Sequence, residues 1–264
     1  MNKNQQHFLN LINQLSWDNI PHGLQESITY MLRGGKKVRP QLVYAAAKDL
    51  GLTDKNVDHI AMAIEMMHIA TLIHDDMPCM DNDSQRHGKP SCHAAYGDTV
   101  SLLTGDALQM LSFEQLCTPH ASPELFKEFT QAVGPRGLLR GQFLDSMNMV
   151  ESETILSMYS AKSGGLFSCC LTLPAINNHQ YEHVKTLRKV GQLFGILYQI
   201  QDDHTEQHVI PLSGESRQTA SELLQDSIDH TRQMLKASID DALDDINFPH
   251  THAVMQELIT ITQK

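Results

Sequence analysis

The stretch His59-Ile-Ala-Met-Ala-Ile-Glu-Met-Met-His68-Ile-Ala-Thr-Leu-Ile-His-Asp75-Asp76-Met77 decides the fold. Met62, Met66, Ile69 and Ile73 recur at i, i+4, i+7 and i+11, which is one face of a helix. The remaining faces hold Ala61, Ala63, Ala70 and Leu72, so the helix is apolar nearly all round and belongs in the centre of a core. It then runs straight into two adjacent carboxylates. A second stretch, Thr186 to Gln201, has the same character through Leu187, Val190, Leu193, Phe194, Leu197 and Ile200, and it also ends in paired acids, Asp202 and Asp203.

Outward from these two helices the pattern stays helical. Leu224, Ile228, Leu235, Ile239, Ala242 and Ile246 form an amphipathic stripe with a charged outer face. Breaks are expected at Gly34-Gly35, Pro78, Gly88 to Pro90, Pro119 to Pro123, Gly134 to Gly137, Gly164-Gly165 and Pro211 to Gly214. Strand signals are scarce and no strand–helix alternation occurs. The expectation is an all-α bundle of roughly ten helices, residues 1–264 forming a single domain.

Composition excludes several classes. Hydrophobic residues make up 41% of the 264, enough for a large core, and 13 are Met, which gives an adaptable aliphatic surface. Lys and Arg number 20 against 31 Asp and Glu, a net charge of −11 that repels nucleic acid and anionic membrane surfaces. The five cysteines, Cys79, Cys92, Cys117, Cys169 and Cys170, fit no zinc spacing and read as reduced thiols of a cytoplasmic protein. No apolar leader and no uncharged run of membrane-spanning length is present, so neither a signal peptide nor a membrane span is expected.

Asp75 and Asp76 sit where a helix dipole already disfavours negative charge, a conflict that a bound cation would resolve. Asp81 is about 240° around an ideal helix from Asp75, so it can join them only if the chain bulges, and Pro78 gives it reason to. Magnesium takes one or two carboxylates and completes its shell with water and phosphate oxygens; a solvated acidic loop is the alternative. Two very apolar helices that both end in Asp-Asp are hard to explain unless something binds there: several divalent ions gripping a polyanionic head group, with an apolar tail behind it. Countercharge is at hand in Lys36, Lys37 and Arg39 on the Gly34-Gly35 turn, in Arg86, and in Lys162 before Gly164-Gly165. His68 lies about 20° out of phase with Asp75, two turns earlier on the same face. A solvated turn and a core histidine are the alternatives for these two features.

Six ordered blocks resemble the polyprenyl (isoprenyl) diphosphate synthase family, in particular its short-chain farnesyl and geranylgeranyl members. They are Gly34-Gly-Lys-Lys-Val-Arg-Pro40, Leu72 to Asp81 with Arg86-His-Gly-Lys-Pro90, Thr104-Gly-Asp-Ala-Leu108, Gly141-Gln-Phe-Leu-Asp145, Lys162-Ser-Gly-Gly-Leu166 and Tyr198 to Asp203. The resemblance implies an all-α isoprenoid synthase fold around a central cavity, a homodimer, and Mg2+ (three ions with substrate bound). It implies a Mg-dependent trans-prenyltransferase that joins isopentenyl diphosphate to an allylic diphosphate, in the manner of a geranyltranstransferase. Carried over residue by residue, Asp75, Asp76 and Asp81 would form the first aspartate-rich motif, and Asp202 and Asp203 would begin the second; all five would hold metal. Lys36, Arg39 and His68 would hold isopentenyl diphosphate. Arg86, Lys162, Ser163 and Gln199 would contact the allylic diphosphate, with His87 where the family has a second arginine. Asp75, Asp76, Asp81, Lys162 and Asp202 would carry the catalysis, while diphosphate itself takes the proton.

Departures accompany the likeness. Arg140-Gly141-Gln142 stands where two glycines are usual before the glutamine. Asp203 is followed by His204-Thr-Glu206 instead of a two-residue spacer and aspartate, and a lysine-bearing stretch of about twenty residues is absent. Either the segment is deleted, which would favour a non-catalytic or regulatory subunit, or the sequence as read lacks a loop; the second is preferred, and Glu206 is not assigned as a third acid. A class I terpene cyclase shares the fold, but it has no need of Lys36, Arg39 and His68. Ala70 and Thr71 are small about a turn before Asp75, which favours a twenty-carbon product over a fifteen-carbon one.

Overall fold

The protein is described from a computed structural model, and the residues described are 3–52, 55–118, 121–146, 152–206 and 228–261. Helices account for nearly all of them, as the periodicity predicts. The chain forms two compact units, Met1–Tyr44 with Asp54–Ala121 and Ala45–Thr53 with Ser122–Lys264.

The first unit contains α1 (Lys3–Ile12), α2 (His22–Leu32), the start of α3 (Val38–Asp49), α4 (Lys55–Asp75), α5 (Cys92–Tyr96) and α6 (Asp98–Leu116). α4 is the expected central helix. Twelve of its residues are buried, among them Ile60, Met62, Ile64, Met66, Ile69 and Ile73, and its most extensive neighbour is α6. It stops at Asp75 because the residue before Pro78 disfavours helical backbone. A two-stranded hairpin follows, β1 (Gln85–Arg86) against β2 (Lys89–Pro90), and the sequence alone did not suggest it. Its turn residues His87 and Gly88 both have positive φ, 54° and 74°, which suits the twist of a two-residue hairpin loop.

The second unit contains the end of α3, then α7 (Pro123–Val133), α8 (Leu138–Ser146), α9 (Ser152–Tyr159), a π-helical turn at Ser160–Gly164, α10 (Gly165–Asn177), α11 (Tyr181–Glu206), α12 (Ile228–Asp245) and α13 (Pro249–Ile261). Sequence analysis expects a break at Gly164-Gly165; instead the helix continues through the π-turn into α10. These glycines serve packing. A Cβ on Gly195 of α11 would lie 2.4 Å from the Gly164 Cα, and one on Gly191 would lie 2.4 Å from the Ser168 Cα, so α10 and α11 meet backbone to backbone. The Phe167, Phe194 and Tyr198 rings fill the space beside that seam, with Phe167 and Phe194 edge to face at 5.1 Å. Gly195→Ala forces that seam apart against rigid backbone and is expected to destabilise the protein by about 1–3 kcal/mol. A fall in the urea midpoint with an unchanged slope checks it.

Elsewhere in this unit Asp49 caps α13. Its carboxylate accepts from the Thr251 N–H and hydroxyl at 2.7 Å each and from the His250 N–H at 3.0 Å, which ties the end of α3 to the C-terminal helix. Of the amphipathic stripe Ile239 is buried and Leu235, Ala242 and Ile246 are half-buried; Leu243, which the stripe did not include, is buried as well, while Leu224 lies outside the described residues. So do Pro211 to Gly214 and most of the region that follows the shortened stretch after Asp203. No helix among the described residues is long and apolar enough to cross a membrane.

Candidate active site

In the first unit the chain reverses immediately after α4. The Asp81 N–H donates to the Asp75 carbonyl at 2.9 Å, and the Met80 and Asn82 N–H groups both donate to the Met77 carbonyl, at 2.9 and 3.1 Å. Asp81 therefore returns beside Asp75, the bulge that its phase on an ideal helix requires. Asp75 is half-buried and Asp81 exposed. Asp76 turns the other way and is fully buried. The Arg86 Nε donates to both Asp76 oxygens, at 3.0 and 3.1 Å, and Arg86 Nη2 donates to Asp76 Oδ1 and to Asp83 Oδ2. Burial pushes the Asp76 carboxyl up from its usual range, against the opposing pull of Arg86.

The Gly34-Gly35 turn lies against the hairpin. A Cβ on Gly35 would fall 2.9 Å from His87 Cε1, and Gly35 has a φ of 79°. Two side-chain amides clamp the turn: Gln41 Nε2 donates to the Lys36 and Lys37 carbonyls at 3.1 Å each, and Gln5 Nε2 donates to the Lys36 carbonyl at 2.9 Å. Lys36 is exposed. Lys37, counted with the substrate-facing cations on sequence grounds, is instead buried against Glu65. His68, one turn after Glu65, feels the whole cluster: burial first, then the charges of Arg39, Lys37, His87 and Arg86, hold its pKa well below the usual histidine range. Burial, with Lys37 and Arg86, lowers His87 too. The structure thus gathers the cations Arg39, Lys37 and Arg86 around His68, with His87 beside Lys37 and Arg86.

The sign of the resulting pH dependence follows. The unfolded chain takes up protons at His68 near pH 6.5 and the folded chain does not. The contribution to stability is therefore complete above about pH 6.5 and is lost as the pH falls below it. Between pH 7.5 and 5.5 His68 is expected to cost up to about 1.4 kcal/mol. The measurement is a pair of urea titrations at the two pH values, in which His68→Asn should show a smaller acid loss.

In the second unit, Lys162 lies in the π-turn and pairs with Asp145 of α8. Ser163 Oγ donates to Gln199 Oε1 of α11 at 2.8 Å. A Cβ on Gly141 would sit 2.3 Å from the Lys162 nitrogen, so glycine is what lets α8 press on this turn. π-turns are frequent at functional sites because one extra residue re-aims the side chains around it. Lys162, Ser163, Gln199 and Asp145 are thereby grouped. The backbone of Asp202 and Asp203 belongs to α11; their side chains lie outside the description.

Two residues that hold these groups in place, Glu65 in the first unit and Asp145 in the second, have no role assigned from the sequence. Asp145 is quoted there only within a matching block. Glu65 left a usable signal: a lone carboxylate inside a helix of apolar residues needs a buried partner. Among the described residues no three His, Cys, Asp or Glu side chains are arranged to hold a metal by themselves. The paired oxygen donors Asp75 and Asp81 do suit a hard cation that takes few protein ligands and completes its shell with phosphate and water.

Comparison with known proteins agrees with this geometry. The model of the polyprenyl synthetase family matches residues 21–211. A geranylgeranyl pyrophosphate synthase of Capsicum annuum chloroplasts is 36% identical over 195 residues, 69% of this chain and 53% of that protein. The farnesyl diphosphate synthase of Haemophilus influenzae is 34% identical over 212 residues, 76% of this chain and 70% of its own. A crystal structure of the geranyltransferase from Helicobacter pylori, complexed with magnesium and isoprenyl diphosphate, superposes with a TM-score of 0.82 at 26% identity, covering 98% of this chain and 94% of that one. The chain belongs to the polyprenyl synthetase family. It spans about half the length of the plant relatives it matches.

Proposed function

We propose that the chain is a Mg-dependent trans-prenyltransferase that condenses isopentenyl diphosphate with dimethylallyl, geranyl or farnesyl diphosphate and releases diphosphate, giving farnesyl or geranylgeranyl diphosphate. The observation that carries this reading is the reversal after α4 that returns Asp81 to Asp75, in the same unit as the cations Lys37, Arg39 and Arg86 gathered around His68. Isopentenyl diphosphate would be held by Lys36, Arg39 and His68. The allylic diphosphate would be held by Lys162, Ser163 and Gln199, with Arg86 and His87. Asp75, Asp81, Asp202 and Asp203 are the carboxylates we assign to metal, three ions with substrate bound. Asp76 is read chiefly as the residue that orients Arg86. Magnesium, when bound, supplies Lewis-acid neutralisation of the charge on the departing diphosphate. The cations of this chain add to that stabilisation, and a dry apolar interior protects the allylic cation from water. The double bond of isopentenyl diphosphate then attacks that cation, and diphosphate accepts the proton lost.

We read the whole chain as one synthase domain, supported by the 98% coverage in the superposition with a solved relative. A homodimer is supported by α6, which exposes Leu102, Leu103 and Met110. Five free cysteines, three of them buried, suit the cytoplasm.

The test is incubation with labelled isopentenyl diphosphate, each of the three primers and magnesium, with products sized by carbon number. A fifteen- or twenty-carbon product is expected. No elongation with any primer would overturn the reading and favour a non-catalytic subunit, while hydrocarbon from geranyl diphosphate alone would favour a cyclase. Ala70 is fully buried one turn and a half before Asp75. Ala70→Phe is expected to shift the product mixture toward shorter chains, and an unchanged mixture would sink the proposal that small residues there set the length.

A further inference from the structure

We infer that the buried ion pair between Lys37 and Glu65 is a positioning device for the isopentenyl diphosphate site: it fixes the Gly34-Gly35 turn on α4, so that Lys36, Arg39 and His68 converge on one diphosphate. This inference rests on the proposed function.

The geometry is specific. Lys37 Nζ lies 2.9 Å from Glu65 Oε1, and both side chains are 3% exposed. The same ammonium donates to the Gly34 carbonyl, which closes a ring from the start of the turn to its end. Lys37 has a φ of 54°, a left-handed conformation that a lysine adopts only when its surroundings hold it there. The flanking residues Lys36 and Arg39 are the ones assigned to substrate. Glu65 precedes His68 by three residues on α4, so a single rigid helix carries both the anchor and a ligand. A buried ion pair is seldom the most stable way to fill a core, since apolar residues of similar volume often stabilise as well or better. Its retention here makes sense if the charge pair defines the conformation of the turn, which an apolar pair would not do.

That difference can be measured. Glu65→Gln and Lys37→Met each leave one partner unmatched. The double substitution Lys37→Met with Glu65→Leu removes both charges and refills the volume. Calorimetric titration with isopentenyl diphosphate, melting temperature, and the KM for each substrate are the readouts. The singles are expected to melt lower and to weaken isopentenyl diphosphate binding at least tenfold, with the primer KM within twofold of wild type. The double variant is expected to recover the melting temperature while its isopentenyl diphosphate affinity stays at least tenfold weak. If the double variant recovers stability and affinity together, the pair only fills space and the inference fails. If the primer KM rises in step with that for isopentenyl diphosphate, the inference fails as well. Should wild type bind isopentenyl diphosphate yet elongate no primer, the proposed function fails while the binding comparison still judges the pair. Should wild type not bind it at all, both fail.

Discussion

Asp75→Asn and Asp81→Asn are each expected to lower kcat by about 10^3-fold while leaving the fold in place. Each would remove a carboxylate that holds cation where charge develops on the departing diphosphate, the setting in which loss of one preorganised electrostatic contact costs most. Stability should barely fall. Asp81 is exposed in the turn, and Asp75 is half-buried at the C-terminus of α4, where negative charge opposes the dipole. The check is steady-state turnover beside a melting curve. A loss of activity matched by a large loss of melting temperature would point to a structural role instead.

The adjacent carboxylate is expected to behave in the opposite sense. Asp76→Ala leaves the Arg86 guanidinium without its main carboxylate partner, with Asp83 remaining, and empties a fully buried site, and breaking a buried pair from one side costs about 3–5 kcal/mol. At about 2–4 °C per kcal/mol, the melting temperature should drop by roughly 10 °C. Asp76→Asn keeps the volume and one acceptor, so it should cost less. Were Asp76 chiefly a metal ligand like Asp75, Asp76→Asn would abolish turnover at nearly unchanged stability. Thermal melts and turnover for both variants separate the two roles.

The contrast between neighbouring aspartates shows where sequence reasoning stops. The apolar character of α4 was legible because burial on nearly all sides leaves no polar face to disguise the period, whereas α11, expected to be equally apolar, is amphipathic, with Lys185, Lys189 and Gln192 exposed. The need for a bulge between Asp75 and Asp81 was legible too, from phase alone, and the Asp81 N–H to Asp75 carbonyl bond supplies it. Which of two adjacent acids turns inward was not legible, because it depends on Arg86, ten residues on, and on a hairpin whose two-residue strands are too short to leave a period. Lys36 and Lys37 were equally opaque. They are identical in type and adjacent, yet one is exposed and the other is buried on Glu65 from a different helix, a long-range pairing. Gly164-Gly165 misled for a related reason. Glycine pairs commonly end helices, but here Gly164 lets the π-turn approach α11 and Gly165 faces the Ala132 carbonyl of α7, and close approach of distant segments has no local signature.

The proposed function leans most on one assignment, that Asp75 at the end of α4 and Asp202 in α11 each hold divalent ions together with diphosphate. Manganese has the same preference for oxygen ligands as magnesium and is counted directly by paramagnetic resonance of the free ion. Titrating it with and without inorganic pyrophosphate is the most direct test. In wild type, pyrophosphate should raise manganese affinity at least tenfold, and Asp75→Asn and Asp202→Asn should each abolish that gain. If Asp202→Asn left the pyrophosphate-dependent gain intact while Asp75→Asn removed it, the assignment of Asp202 would fail.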